Sequence, residues 1–165
     1  MAQNILNNEN KREKGPQYTL ENLYFTAFNE CRKFDEEGNV YYVPIEKNTH
    51  PTGVHVFDNF LNYLSAGNNN VPAFCRREGF SVKAFSNFCE VLTGMKVTTL
   101  KMKWVERTVL DLLRYSNLTI KEVAERSGVG SHFNLNRVCK KFSGYSAWNY
   151  RFYTQEEGEA GKYRI

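Results

Sequence analysis

Residues 71–94 read VPAFCRREGFSVKAFSNFCEVLTG and residues 120–144 read IKEVAERSGVGSHFNLNRVCKKFSG. Laid against each other, they carry one apolar pattern twice. In the first copy Val71, Phe74 and Cys75 precede Gly79, and Phe85, Phe88, Cys89 and Leu92 follow it. In the second, Ile120, Val123 and Ala124 precede Gly128, and Leu135, Val138, Cys139 and Phe142 follow. Both copies close on a further glycine, Gly94 and Gly144. The offset between copies is 49 before the central glycine and 50 after it, so one residue is inserted just behind Gly128. A short amphipathic helix, a glycine turn and a longer amphipathic helix read as a helix-turn-helix, here present twice.

The spacing carries chemistry as well as geometry. The two helices of such a unit cross closely, so the position four before the turn glycine needs a small side chain, and Cys75 and Ala124 supply it. The turn needs positive φ, which glycine adopts without steric cost. The longer helix buries one stripe and turns the other outward. In the first copy the outward residues are Lys83, Ser86, Asn87 and Glu90; in the second they are His132, Asn134, Asn136, Arg137 and Lys140. Arginine bonds guanine O6/N7 bidentately and asparagine does the same for adenine N6/N7, so the second set is equipped to read base edges in a major groove. Glu90 would be repelled by phosphate, and the second copy is expected to discriminate more strongly.

Charge points the same way. The chain of 165 residues has a net charge of +4. Residues 71–153 hold 14 Lys/Arg against 6 Asp/Glu, whereas residues 1–70 hold 6 against 9. The basic excess lies on the duplicated region, as a polyanion partner requires. No apolar run is long enough to span a membrane, and the N-terminus lacks the apolar core of a secretion signal. Cys31, Cys75, Cys89 and Cys139 form no CxxC pair. A cytoplasmic, reducing compartment without disulfide, metal or other cofactor is therefore expected. His50, His55 and Cys31 are read as surface groups rather than metal ligands. The absence of a Gly-rich phosphate loop or a recurrent nucleophile–base spacing argues against an enzyme.

Outside the repeats the elements are shorter. Residues 1–16 are polar and expected to be disordered. Residues 17–50 form a small appendage, with a helix expected from Leu20 to about Lys33, a turn at Asp35–Asn39 and a strand at Val40–Val43. A helix opened by Pro51-Thr52 carries Phe57, Phe60, Leu61 and Leu64 at helical spacing. A long amphipathic helix from about Val97 to Tyr115 links the copies. Thr119-Ile-Lys-Glu122 forms a capping box, and Ser146 caps a last helix. The stretch 154–165 is expected to be a flexible tail, leaving 51–153 as the principal domain.

The stretch LTIKEVAERSGVGSHFNLNRVCKKFSGYSAWNYR, Leu118–Arg151, resembles the second half of the AraC/XylS-type DNA-binding domain. The first copy has that family's glycine-to-glycine spacing, and Lys103-Trp104 with Leu112-Leu113 stand where the family has R-L and L-L on its linker helix. The resemblance covers about residues 54–153. It implies an all-α domain of seven helices: two helix-turn-helix lobes joined by a long linker helix, here with a small N-terminal α/β appendage. It further implies that each lobe places one recognition helix in a major groove of double-stranded DNA. Two grooves on one face of the duplex lie roughly 34 Å apart, so a monomer could suffice. Carried over position by position, base reading falls to Lys83, Ser86, Asn87, His132, Asn134, Asn136 and Arg137. Phosphate contacts fall to Ser81, Thr119, Lys140 and Lys141. The implied function is sequence-specific transcription regulation, by recruiting or blocking RNA polymerase. The alternative is a protein-interaction module built on the same scaffold.

Several positions depart from the family's pattern. Cys89 and Cys139 stand where it has Phe, and Phe85, Phe88 and Phe142 are candidates to fill the volume. Phe133, beside the base readers, either contacts a thymine methyl or adjusts the core, and the core reading is favoured. Ala147 replaces a Pro. Residues 17–50 are too few for an effector pocket of the kind larger members carry, so that piece is expected to pack on the first lobe or to dock a partner.

Overall fold

A computed structural model describes residues 15–165. The disorder expected for 1–16 therefore falls almost wholly outside the described residues. In chain order the elements are α1 (Leu20–Leu23), β1 (Glu30–Phe34), β2 (Val40–Pro44), α2 (His55–Ser65), α3 (Val71–Glu78), α4 (Val82–Thr93), α5 (Val97–Tyr115), α6 (Ile120–Arg126), α7 (His132–Ser143), α8 (Ala147–Thr154) and β3 (Tyr163–Arg164). Helices α2 to α8 are the seven that the resemblance implies, and the architecture is predominantly helical with a small antiparallel sheet.

Two cores organise them. Phe57, Phe60 and Leu61 of α2, Phe74 and Cys75 of α3, and Phe85 and Cys89 of α4 close the first lobe. Val123 and Ala124 of α6, Leu135 and Cys139 of α7, and Ala147 of α8 close the second. Helix α5 serves both: Val97, Leu100 and Trp104 enter the first core, and Val109, Leu112 and Leu113 the second. One amphipathic stripe thus runs the length of the linker, and each half is buried by a different lobe. Helix α5 ends where the Ser116 hydroxyl bonds back to the Leu112 carbonyl at 2.6 Å and accepts from the Leu118 amide at 3.2 Å. Helix α2 begins three residues later than its expected opening at Thr52. There Gly53 adopts φ +71°, and the Thr52 amide and hydroxyl both donate to the Asp58 carboxylate, at 3.1 and 2.7 Å.

The helix expected from Leu20 to Lys33 is a correction. Only one turn forms, residues 24–29 run without regular structure, and β1 begins at Glu30. The reason is where the apolar side chains go: Leu23 and Phe25 are buried in the first core and Phe28 in the second. An extended chain can deliver them to two cores, whereas a helix would stack Tyr24 and Phe28 on one face. The appendage therefore spans both lobes rather than resting on the first. Tyr24 also ties it to the linker, donating from its hydroxyl to Asp111 Oδ2 at 3.0 Å with the Arg107 guanidinium over its ring.

The β1–β2 hairpin turns as expected at Asp35–Asn39. The Asp35 carboxylate accepts from the Glu37 and Asn39 amides at 2.9 and 2.7 Å, and Gly38 supplies φ +85°. The tail is the second correction. Residues 154–165 were expected to be loose, but Tyr163 and Arg164 pair with Cys31 and Glu30 to give sheet order β2-β1-β3. Arg32 donates to the carbonyls of Ala160 and Gly158, and the Tyr42 hydroxyl donates to that of Gly161. Arg114 Nε and Nη2 donate to the two Glu159 oxygens at 2.9 and 3.0 Å. Acidic residues of the tail, Glu159 and Glu156, are what dock it on Arg114.

That fork, followed by the Glu156 amide, holds the Glu159 carboxyl below its ordinary value of 4.5. A depressed carboxylate stabilises the docked tail above the unfolded pKa, and the stabilisation is lost as pH falls through the lowered value. Acidification below about pH 4 is therefore expected to release β3 before the lobes unfold. Amide exchange at Arg32 and Lys162 would follow it. A Glu159→Gln variant should show a tail already loosened at neutral pH and unresponsive to acid. A tail equally protected in both proteins at pH 7 would exclude the fork as its anchor.

The lobes also touch each other. The Asn69 side-chain amide, from the loop between α2 and α3, donates to the Gly128 carbonyl in the turn between α6 and α7. Gly67 and Gly128 lie so close that a Cβ on Gly128 would stand 2.1 Å from the Gly67 carbonyl oxygen. Among the described residues no helix is long and apolar enough to cross a membrane.

Candidate nucleic-acid interface

The two helix-turn-helix units are copies at the level of individual hydrogen bonds. Ser81 and Ser131 cap α4 and α7, accepting from the Ala84 and Asn134 amides at 3.1 and 3.2 Å. Gly94 and Gly144 end these helices in the left-handed region at φ +70° and +79°. Just before them, the Thr93 and Ser143 hydroxyls both donate to a cysteine carbonyl, Cys89 and Cys139, at 2.7 Å. Along residues 81–90 and 131–140 the sequence of buried, half-buried and exposed positions is identical. Each α4 and α7 thus exposes the same geometric face, and comparison at offset 50 isolates what differs chemically.

The Cys89 and Cys139 thiols are fully buried, and burial pushes them up to about 12 and about 11. They remain neutral apolar fillers rather than thiolates. Phe85 and Phe88 pack around Cys89 as expected. In the second lobe Phe142 stays outside the core cluster and lines a groove with Met102 and Val105 of α5. The ring that reaches the second core is Phe28, stacked on Tyr163 at 5.2 Å.

Of the base-reading candidates, Lys83, Asn87, His132, Asn134 and Arg137 are exposed on the outer faces of α4 and α7. Lys140 is exposed on the same side of α7. Ser86 and Asn136 are half-buried rather than fully exposed. They occupy equivalent positions, and each caps the next helix inside its own lobe. Ser86 Oγ accepts from the Val97 amide of α5 at 3.4 Å, and Asn136 Oδ1 accepts from the Ala147 amide of α8 at 2.9 Å. The Asn136 amide nitrogen also lies 3.2 Å from His132 Nε2, which ties His132 to the same network.

One reading changes. Phe133 is 72% exposed, so the core reading fails and the ring stands on the outer face, next to Asn134 and in register with Lys83 of the first copy. Thr119 is engaged in its own capping box. Its hydroxyl and amide both donate to Glu122 Oε2, at 2.8 and 2.7 Å, which places a carboxylate over the start of α6. Glu122 is held below the usual carboxylate range by these two bonds, the amide's first. The Ser81 hydroxyl accepts from the Ala84 amide as a cap but is exposed, and so lies at the surface of α4 as expected. Lys141 is exposed but leans back over α5, with Nζ 3.4 Å from Met102 Sδ.

What the sequence reading missed is the apolar character of the first lobe's outer face. Phe80, Val82 and Val91 are exposed there, Val91 at 78%. The signal was present in the offset: Val82 matches His132 and Val91 matches Lys141. Exposed charge on α4 is Lys83 against Glu90, while α7 presents Arg137, Lys140 and Lys141 with no acid on the helix. Among the described residues none of these three cations is in an ion pair.

No protein-family model matches the chain, and no curated protein matches it. Among solved structures it is similar to the C-terminal domain of AraT, a response regulator from Geobacillus stearothermophilus. The TM-score is 0.55 at 20% identity, over 63% of this chain and 86% of that one. At that identity the likeness is one of fold.

Proposed function

We propose that this chain is a sequence-specific DNA-binding transcription regulator of the AraC/XylS type. In this reading α4 and α7 enter successive major-groove segments on one face of a duplex, and the bound chain recruits or blocks RNA polymerase. The observation that carries it is the contrast between the copies. Their burial patterns match along residues 81–90 and 131–140, while the outer face of α7 concentrates Asn134, Arg137 and Lys140 with no acidic neighbour on the helix. A face that served folding alone would have no need of unpaired cations beside an exposed asparagine, whereas phosphate and base edges use both. Helix α7 carries most of the discrimination. The neutral, partly apolar α4 suits thymine methyl contacts through Val82 and Ala84 with Asn87 as its polar reader. Phe133 offers the same apolar contact in the second lobe. No catalytic role is assigned to any residue.

The two lobes are held at one separation by α5, by the Asn69–Gly128 contact and by the appendage that enters both cores. A single chain is therefore suited to an asymmetric site with two half-sites at one spacing.

The test begins by selecting bound sequences from a random duplex pool and titrating the winner. Arg137→Ala is expected to cost about 1–3 kcal/mol and to relax preference at one base position. Lys140→Ala is expected to weaken all sequences alike and to reduce the salt slope by about 1. Asn136→Ala should lower stability by about 1 kcal/mol through the lost α8 cap, with base preference unchanged. Unaltered preference after Arg137→Ala would sink the assignment of α7. The second reading, a protein-interaction module, draws on the exposed Phe80, Val82 and Val91. It expects no salt-dependent DNA binding and no component that survives competitor DNA.

A further inference from the structure

A run of exposed aromatic side chains lies on α8, outside the recognition helices. Trp148, Phe152 and Tyr153 are 63%, 66% and 65% exposed, and Tyr145, in the turn before the helix, is 47% exposed. They form one continuous run of rings. Trp148 stacks on Phe152 with centroids 5.8 Å apart and planes 15° from parallel. Phe152 meets Tyr153 edge-on at 5.4 Å, and Tyr153 meets Tyr145 at 5.3 Å. A buried aromatic side chain removes about 150–250 Å² from water. Four of them, one-half to two-thirds exposed, leave on the order of 500 Å² of contiguous apolar surface, at the upper end of what a monomer usually shows.

The folding of the lobe does not need these rings. Ala147 and Tyr150 are the α8 residues that pack into the second core. Arg151 turns inward, with Nε donating to the Leu113 carbonyl at 2.9 Å. Arg151 is the only charged residue of α8, so the face left outside, Trp148, Asn149, Phe152 and Tyr153, carries no charge at all.

We propose that this α8 face is the contact between two copies of the chain. An uncharged aromatic surface offers no ion pair to a charged partner. It also suits self-pairing, because a two-fold contact sets each patch against itself and here brings no like charges together. The exposed area also fits: a stable interface takes about 800 Å² from each partner, with an aromatic centre and a polar rim. The four rings supply the centre, with Asn149 beside them. None of them belongs to the outer face of α7. Where α7 reads DNA, as proposed above, the pair would present two second lobes about a two-fold axis and favour an inverted repeat of the single-chain site. The self-association itself does not depend on that reading.

Sedimentation equilibrium of the full chain without DNA, over roughly 1–100 µM, tests it. The wild type is expected to pass from monomer to dimer, with little dependence on salt because the contact is uncharged. Trp148→Glu and Phe152→Glu should each raise the dissociation constant at least about 30-fold while keeping the helical circular-dichroism spectrum and a cooperative melt. Tyr41→Glu, on the exposed β-hairpin, should leave it unchanged. A wild-type chain that stays monomeric throughout overturns the proposal, whether acrylamide reaches Trp148 freely or finds it shielded by another segment. So does a dimer that survives both α8 substitutions, or one abolished by Tyr41→Glu.

Discussion

Gly128→Ala is expected to destabilise the protein by about 3–5 kcal/mol, whereas Gly79→Ala, at the same place in the other copy, should cost about 1–2 kcal/mol. Both glycines hold the turn of a helix-turn-helix, with φ of +77° and +78°, and the strain of a side chain in that region is common to both. Their surroundings are not alike. Around Gly79 a Cβ would meet nothing within 4 Å; at Gly128 it would stand 2.1 Å from the Gly67 carbonyl oxygen and 2.9 Å from the carbon. Neither atom is the end of a flexible side chain, so the loop of the first lobe or the turn of the second must move. That movement breaks the Asn69 bond to Gly128. Urea denaturation of the two variants measures the difference. Equal losses would mean that the lobes do not press on one another as the structure shows.

The comparison also marks what could be read from residue order. The repeat, its small crossing residues Cys75 and Ala124, the glycine turns, the Thr119–Glu122 box and the long linker helix α5 were all legible. Each is local, or periodic over one helix. Nothing local distinguishes Gly128 from Gly79, because the contact that does so joins residues some sixty positions apart. The appendage and the tail were misread for the same reason. Leu20, Leu23, Tyr24 and Phe28 fit a helical spacing when taken alone, and only the presence of two cores makes the extended form better. Tyr163 and Arg164 look like the end of a loose acidic stretch until β1 lies beside them.

The candidate site was legible to a similar depth. Helical periodicity correctly put Lys83, Asn87, His132, Asn134 and Arg137 on outer faces. It could not say that Ser86 and Asn136 also accept from the first amides of α5 and α8, since that depends on where the following helix starts. The offset held this information in part. Ser86 and Asn136 are matched polar residues in two faces that otherwise diverge, and a matched pair signals a shared structural task. Phe133 shows the converse. Its match is Lys83, a solvent-seeking residue, and the ring is exposed accordingly.

Trp104→Ala is expected to cost about 3–5 kcal/mol, the range for deleting a large buried aromatic. Trp104 lies on α5 at 1% exposure, with Tyr24 at 4.9 Å and Phe25 at 5.3 Å between ring centroids. Its removal therefore opens a cavity in the first lobe and at the same time unseats the appendage. Trp104→Phe should be much milder. It keeps a ring against Phe25, and it removes an indole nitrogen that is buried without an acceptor, so part of the lost packing is offset by the loss of an unsatisfied donor. Chemical denaturation gives the two stabilities, and hydrogen exchange at the Tyr18 and Tyr24 amides shows whether the appendage loosens with them. These amides are bonded to the Leu92 and Leu20 carbonyls, and in the alanine variant they should exchange ahead of global unfolding. If they kept full protection, the appendage would be held by its sheet and by Phe28 in the second core rather than by the linker tryptophan. The first and second lobes would then be clamped from one side only.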